Sequence, residues 1–119
     1  GICCCPPNNE IHKTALGAEQ TVDWRYFEHT LDAIKALHAD GYAVFAIEQA
    51  HGSTMLHNLQ LPHNQKTAII MGHEVFGVQQ EVVDAANGCI EIPQYGTKHS
   101  LNVSVTAGIV MYELSNMLR

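Results

Sequence analysis

This sequence predicts an α/β domain: a mostly parallel sheet with helices on both faces. Two observations predict it. Short, continuously apolar runs recur, YAVFAI at 42–47 and TAIIM at 67–71, and such runs read as strands covered on both sides. Segments with helical apolar spacing alternate with them, which is the pattern of strand-helix-strand units.

In chain order, GICCC at 1–5 reads as a buried strand stopped by Pro6-Pro7. Residues 8–25 are mixed and polar, a loop with at most one helical turn. Phe27, Leu31, Ile34 and Leu37 then follow helical spacing, and Asp40-Gly41 supplies a C-terminal stop. Residues 42–47 form the next strand. Residues 49–66, rich in His, Asn, Gln and Gly, read as a long loop or short helix. Residues 67–71 are a strand, GHEVFG follows, and a helix near 78–86 carries Val82, Val83 and Ala86. Asn87-Gly88 suits a left-handed cap for that helix, and Cys89 to Ile92 is the last strand. The final helix, from about 102 to 118, is apolar nearly all round: Val103, Ile109, Val110, Met111, Leu114, Met117. Such a helix is covered from more than one direction, and in a chain of this size a subunit interface is the expected second cover.

The chain has 119 residues, one domain or part of one. At this length a chain buries a little under ~70% of its extended surface, so a core forms without staples. It begins with Gly1 and moves at once into strand-like sequence, which suggests that the natural start lies further upstream. No apolar run approaches the ~18 residues of a membrane span. Cys3, Cys4 and Cys5 are consecutive; neighbours on a strand point to opposite faces and pair poorly, so they read as buried thiols of a reducing cytoplasm. Net charge is −6, and the six Lys and Arg are scattered. That argues against extensive phosphate binding by this segment alone.

Ligands of parallel sheets sit beyond the carboxyl ends of the strands, and three loops here occupy that position. The first begins Glu48-Gln49. The second is Gly72-His73-Glu74-Val75-Phe76-Gly77, whose flanking glycines allow a tight turn and close approach of a ligand. The third is EIPQYGTKHSLNVSV at 91–105. Ser100, Asn102 or Ser104 could each cap the helix that follows, and Glu74 could be a carboxylate at a helix start. Capping does not require all three polar residues, nor Pro93 and Gly96 upstream.

GHEVFG together with EIPQYGTKHSLNVSVTAGIVMYE resembles the second and third motifs of the SpoU (TrmH-like) class of RNA 2′-O-ribose methyltransferases, within the SPOUT superfamily. KTALGAE at 13–19 and the strand ending in Glu48-Gln49 also resemble family segments, so the likeness covers essentially the whole chain. It implies a C-terminal trefoil knot that binds S-adenosylmethionine, with Gly72, Ile92 and Leu101 at donor-holding positions. Gly77, Pro93, Asn102 and Glu74 would line the pocket. Asn102, Ser100 and Glu74 would be the catalytic candidates. The resemblance further implies a homodimer through the C-terminal helix and a tRNA or rRNA ribose as acceptor. The family's first motif, with its Asn and Arg, has no match in residues 1–12, and Arg25 lies in the wrong segment. The chain therefore reads as the C-terminal part, residues 1–119, of such a domain, N-terminally truncated. A donor-binding dimerisation fragment without methyl transfer is the alternative.

Other chemistries fit less well. None of the eight histidines stands three to five residues from another, so zinc-ligand spacing is absent. Cys89 lies inside a strand, a packed thiol rather than a nucleophile. GHEVFG lacks the spacing and Lys-Ser/Thr end of a phosphate-binding loop.

Overall fold

The computed structural model describes residues 22–48, 52–72, 77–92 and 103–118. The expected first strand at 1–5 and residues 93–102 lie outside them. Helix α1 (Thr30–Ala39) leads to strand β1 (Ala43–Ile47), then β2 (Thr54–Met55) with a single 3-10 turn at Leu56–Asn58, and β3 (Thr67–Ile70). Helix α2 (Gln80–Ala85), strand β4 (Gly88–Glu91) and helix α3 (Val103–Leu118) complete the described chain. The strands form one sheet in the order β2-β4-β1-β3, and every pairing is parallel. All four carboxyl ends therefore lie along one edge.

Two corrections concern elements. The stretch 49–66 holds a strand: β2 pairs with β4 through Thr54 opposite Ile90 and Met55 opposite Glu91. Two residues carry no readable period, so the partner strand fixes this element. Nor is α2 closed by a left-handed Asn87-Gly88. Ala86 leaves the helix extended at φ −74° and ψ 161°, and among the described residues the positive-φ positions are Asn64, Gly41, Gly52 and Gly77. Asn87 instead works as a cross-strand tie. Its N–H donates to Val44 O at 2.7 Å, and its Oδ1 accepts from Val44 N–H at 2.8 Å and from His38 Nε2 at 2.8 Å.

The Asp40-Gly41 stop of α1 is present as read. Gly41 has φ +84°, its N–H reaches His38 O at 3.0 Å, and Tyr42 N–H reaches Leu37 O at 2.9 Å. That pair of bonds satisfies the last carbonyls of the helix and turns the chain directly into β1. The helix begins at Thr30, so Phe27 precedes the helix rather than lying on it.

Strand alternation splits the core into two layers. Val44 packs with Ile34 of α1 and Val82 of α2, flanked by Ala68 and Ile70. Phe45 and Ile47 face the other way, with Ile69, onto a cluster of Leu56, Ile90, Val110 and Leu114. The register agrees, since Val44 pairs with Ala68, Phe45 with Ile69 and Ile47 with Ile90. Helices thus cover both faces: α1 and α2 on one, α3 on the other. Val44, Ala46, Ile90 and Val110 are fully buried. Among the described residues no helix is long and apolar enough to cross a membrane.

Candidate functional site

The carboxyl edge places three segments side by side, because β1 lies between β3 and β4. β3 ends at Ile70, and two residues later Gly72 meets the returning chain. A Cβ on Gly72 would lie 2.6 Å from Gly77 C and 2.8 Å from Val78 N. The two feet of the loop are thus in backbone contact, with room for no side chain between them. Gly77 turns at φ +67°, a conformation glycine adopts without strain.

β1 ends beside this loop. Glu48 N–H donates to Ile90 O at 3.1 Å, which carries the β1–β4 ladder one residue past the strand. The Glu48 carboxylate turns the other way and accepts from Val78 N–H at 2.8 Å. It lies against the α-carbon of Gly77, where an added Cβ would strike Oε2. On the far side, Ser53 Oγ donates to Glu91 Oε1 at 2.7 Å, fastening the entry of β2 to the end of β4. Ile92, one residue beyond β4, is half-buried against the cluster of Leu56, Ile90, Val110 and Leu114.

Of the residues expected from the sequence, Gly72 and Gly77 come together as the base of one loop. Ile92 lies on the same edge, with the end of β1 between. Glu74, Pro93, Ser100, Leu101 and Asn102 are outside the described residues. The part played by Glu48 was not legible beforehand; the one signal was a carboxylate closing an otherwise apolar strand. Cys89 behaves as a packed thiol. Burial first, then the carboxylates of Glu48 and Asp84, raise it above its ordinary value, the opposite of what a nucleophilic thiol needs. Among the described residues no three His, Cys, Asp or Glu side chains are grouped to hold a metal ion.

An edge of this kind suits a ligand held by main-chain groups: glycines permit close approach, and the strand ends offer N–H and C=O groups at fixed spacing. The SpoU rRNA Methylase family matches residues 2–112. The chain is 38% identical over 104 residues to a tRNA (guanosine(18)-2′-O)-methyltransferase of Borreliella burgdorferi, covering 87% of this chain and 47% of that protein. It is 29% identical over 106 residues to a 23S rRNA (guanosine-2′-O-)-methyltransferase of Neisseria meningitidis, covering 89% and 41%. The crystal structure of an AdoMet-bound rRNA methyltransferase from Sinorhizobium meliloti superposes with a TM-score of 0.89 at 26% identity, covering 100% of this chain and 44% of that one. This chain spans a little under half the length of each of these three proteins.

Proposed function

This chain belongs to the SpoU rRNA Methylase family, and from that membership we propose that it serves S-adenosylmethionine-dependent methyl transfer to a ribose 2′-hydroxyl of a tRNA or rRNA. The observation that carries the reading is the side-chain-free contact of Gly72 with Gly77 and Val78 at the carboxyl edge of the sheet. It closes the base of this loop with backbone alone, and the loop stands where a parallel sheet takes its ligand. Relatives named for tRNA and for rRNA 2′-O-methylation support the acceptor class.

S-adenosylmethionine, when bound, supplies a methyl group already activated on its sulfonium. The chain's residues hold and orient. Backbone groups of Gly72, Ile92 and Leu101 grip the donor, and Gly77, Pro93 and Asn102 line the pocket. Ser100 and Asn102 place the acceptor ribose, since holding two reactants in line removes much of the entropic barrier. A 2′-hydroxyl is a weak acid, so its proton needs an acceptor or a strong polariser; Glu74, in the loop after β3, is assigned that task. The C-terminal part closes the donor pocket as a trefoil knot. The protein is a cytoplasmic homodimer whose α3 helices meet through their outward apolar stripe. Isothermal titration with S-adenosylmethionine, beside tritium transfer to tRNA and rRNA, tests the reading. Binding with transfer supports it. Binding without transfer reduces the chain to a donor-binding dimerisation unit. Absence of binding overturns it.

A further inference from the structure

Glu48 holds both flanks of the carboxyl edge at once. Its main-chain N–H is bonded to Ile90 O, two residues before Ile92. Its carboxylate is bonded to Val78 N–H. Val78 N is in turn one of the backbone atoms packed where a Cβ of Gly72 would stand. We propose that Glu48 is a positioning residue of the methyl-donor pocket, setting the separation between the loop that starts at Gly72 and the strand end that carries Ile92. The inference rests on reading this edge as the donor site.

Support for a short helix would be the simpler role for such a carboxylate, and the geometry speaks against it. α2 starts at Gln80, with Gln79 as its N-cap. Val78 precedes that cap, so its N–H is not among the unsatisfied donors of the helix start. The grip is on the loop. Three features fit one another there. A carboxylate accepting from a backbone N–H makes a short, charge-assisted bond. Gly77 leaves space for it, since any Cβ would strike Oε2. The positive φ of Gly77 turns the chain so that the next N–H meets the carboxylate. Glu48 touches neither donor nor acceptor in this scheme; it acts through Val78, Gly77 and Gly72.

Reach and charge can be separated by two conservative variants. Glu48→Asp keeps the charge and withdraws the oxygens by one methylene. Glu48→Gln keeps the reach and offers a neutral acceptor. Isothermal titration of the full chain with S-adenosylmethionine is expected to show Glu48→Asp weaker by about tenfold and Glu48→Gln within about threefold of the unmodified chain. Amide hydrogen exchange is expected to accelerate at Val78 in Glu48→Asp alone, with Val44 and Ile90 unchanged. Unaltered affinity in both variants, equal loss in both, or the reverse order overturns the inference while leaving the donor-site reading intact. An unmodified chain that binds no S-adenosylmethionine overturns both.

Discussion

Position 72 is held to glycine by contact rather than by turn geometry. The atoms a Cβ would meet there, Gly77 C and Val78 N, are main chain, so no side chain can rotate aside. Gly72→Ala is expected to cost about 1–3 kcal/mol by overpacking, read as a lower urea midpoint at unchanged slope. Gly88 provides the control, because its added Cβ would meet only Phe45 ring carbons at 3.6 Å. Gly88→Ala is expected to be neutral or to stabilise by up to about 1 kcal/mol, as alanine loses less chain entropy in a strand. Equal losses at the two sites would contradict the contact argument. Asn87 shows a residue whose identity was visible and whose role was not. Asn-Gly after a helix suggests a left-handed cap, but what selects Asn is the Val44 N–H 43 residues away. Asn87→Ala would leave that buried donor without its acceptor, at about 1–3 kcal/mol, measurable by the same denaturation. Cys89 adds a pH dependence. Because folding raises its pKa, the unfolded chain releases this proton first. The folded state's advantage is whole below the ordinary thiol range and declines as pH rises from there toward the raised value. Cys89→Ala should flatten the alkaline fall of the urea midpoint relative to the unmodified chain.

At the level of elements, legibility followed length and period. α1, β1, β3 and β4 were readable because each shows its own pattern over several residues. β2 was not, since two residues have no period and their strand character comes from Ile90 and Glu91 across the ladder. For α3 the composition was readable as double-sided, and the structure separates the sides. Val110, Leu114 and Met117 pack onto the sheet, a stripe at helical spacing. Val105, Ile109 and Tyr112 repeat the same spacing on the opposite side and are exposed, Tyr112 by 71%. If that outer stripe seats a second copy, as proposed, Tyr112→Glu is expected to shift sedimentation velocity from dimer to monomer with the far-ultraviolet circular dichroism unchanged. A monomeric unmodified chain, or a dimer indifferent to the substitution, would remove α3 from the interface. Leu114→Ala probes the inner stripe instead and is expected to cost about 2–5 kcal/mol.

For the molecule as a whole, the carboxyl edge and its glycine loop were legible, and the tie that braces them was not. Strand ends and paired glycines are local signals, and they marked Gly72 and Gly77 correctly as one loop. The tie from Glu48 to Val78 spans 30 positions, and nothing in either neighbourhood announces the other. Charge is the remaining whole-molecule property, and it limits how many phosphates this chain can neutralise. Twelve acidic residues oppose six Lys and Arg. Of those six, Arg25 lies over the Phe27 ring at 4.8 Å, and Lys66 lies over the Tyr42 ring at 5.7 Å while donating to Asp40 O at 3.2 Å. Each phosphate neutralised by a protein cation adds about 0.7–0.9 to the slope of log affinity against log salt. A chain with scattered and partly engaged cations should neutralise few phosphates at once. Filter binding of tRNA between ~50 and ~200 mM salt is therefore expected to give a shallow slope, about 2 or less in magnitude. A slope near 5 would mean that nearly all six cations converge on the nucleic acid. It would place the recognition surface on this chain despite its net charge of −6. The shallow result would instead mean that few of these cations meet the nucleic acid, in keeping with a chain whose proposed part is the donor edge.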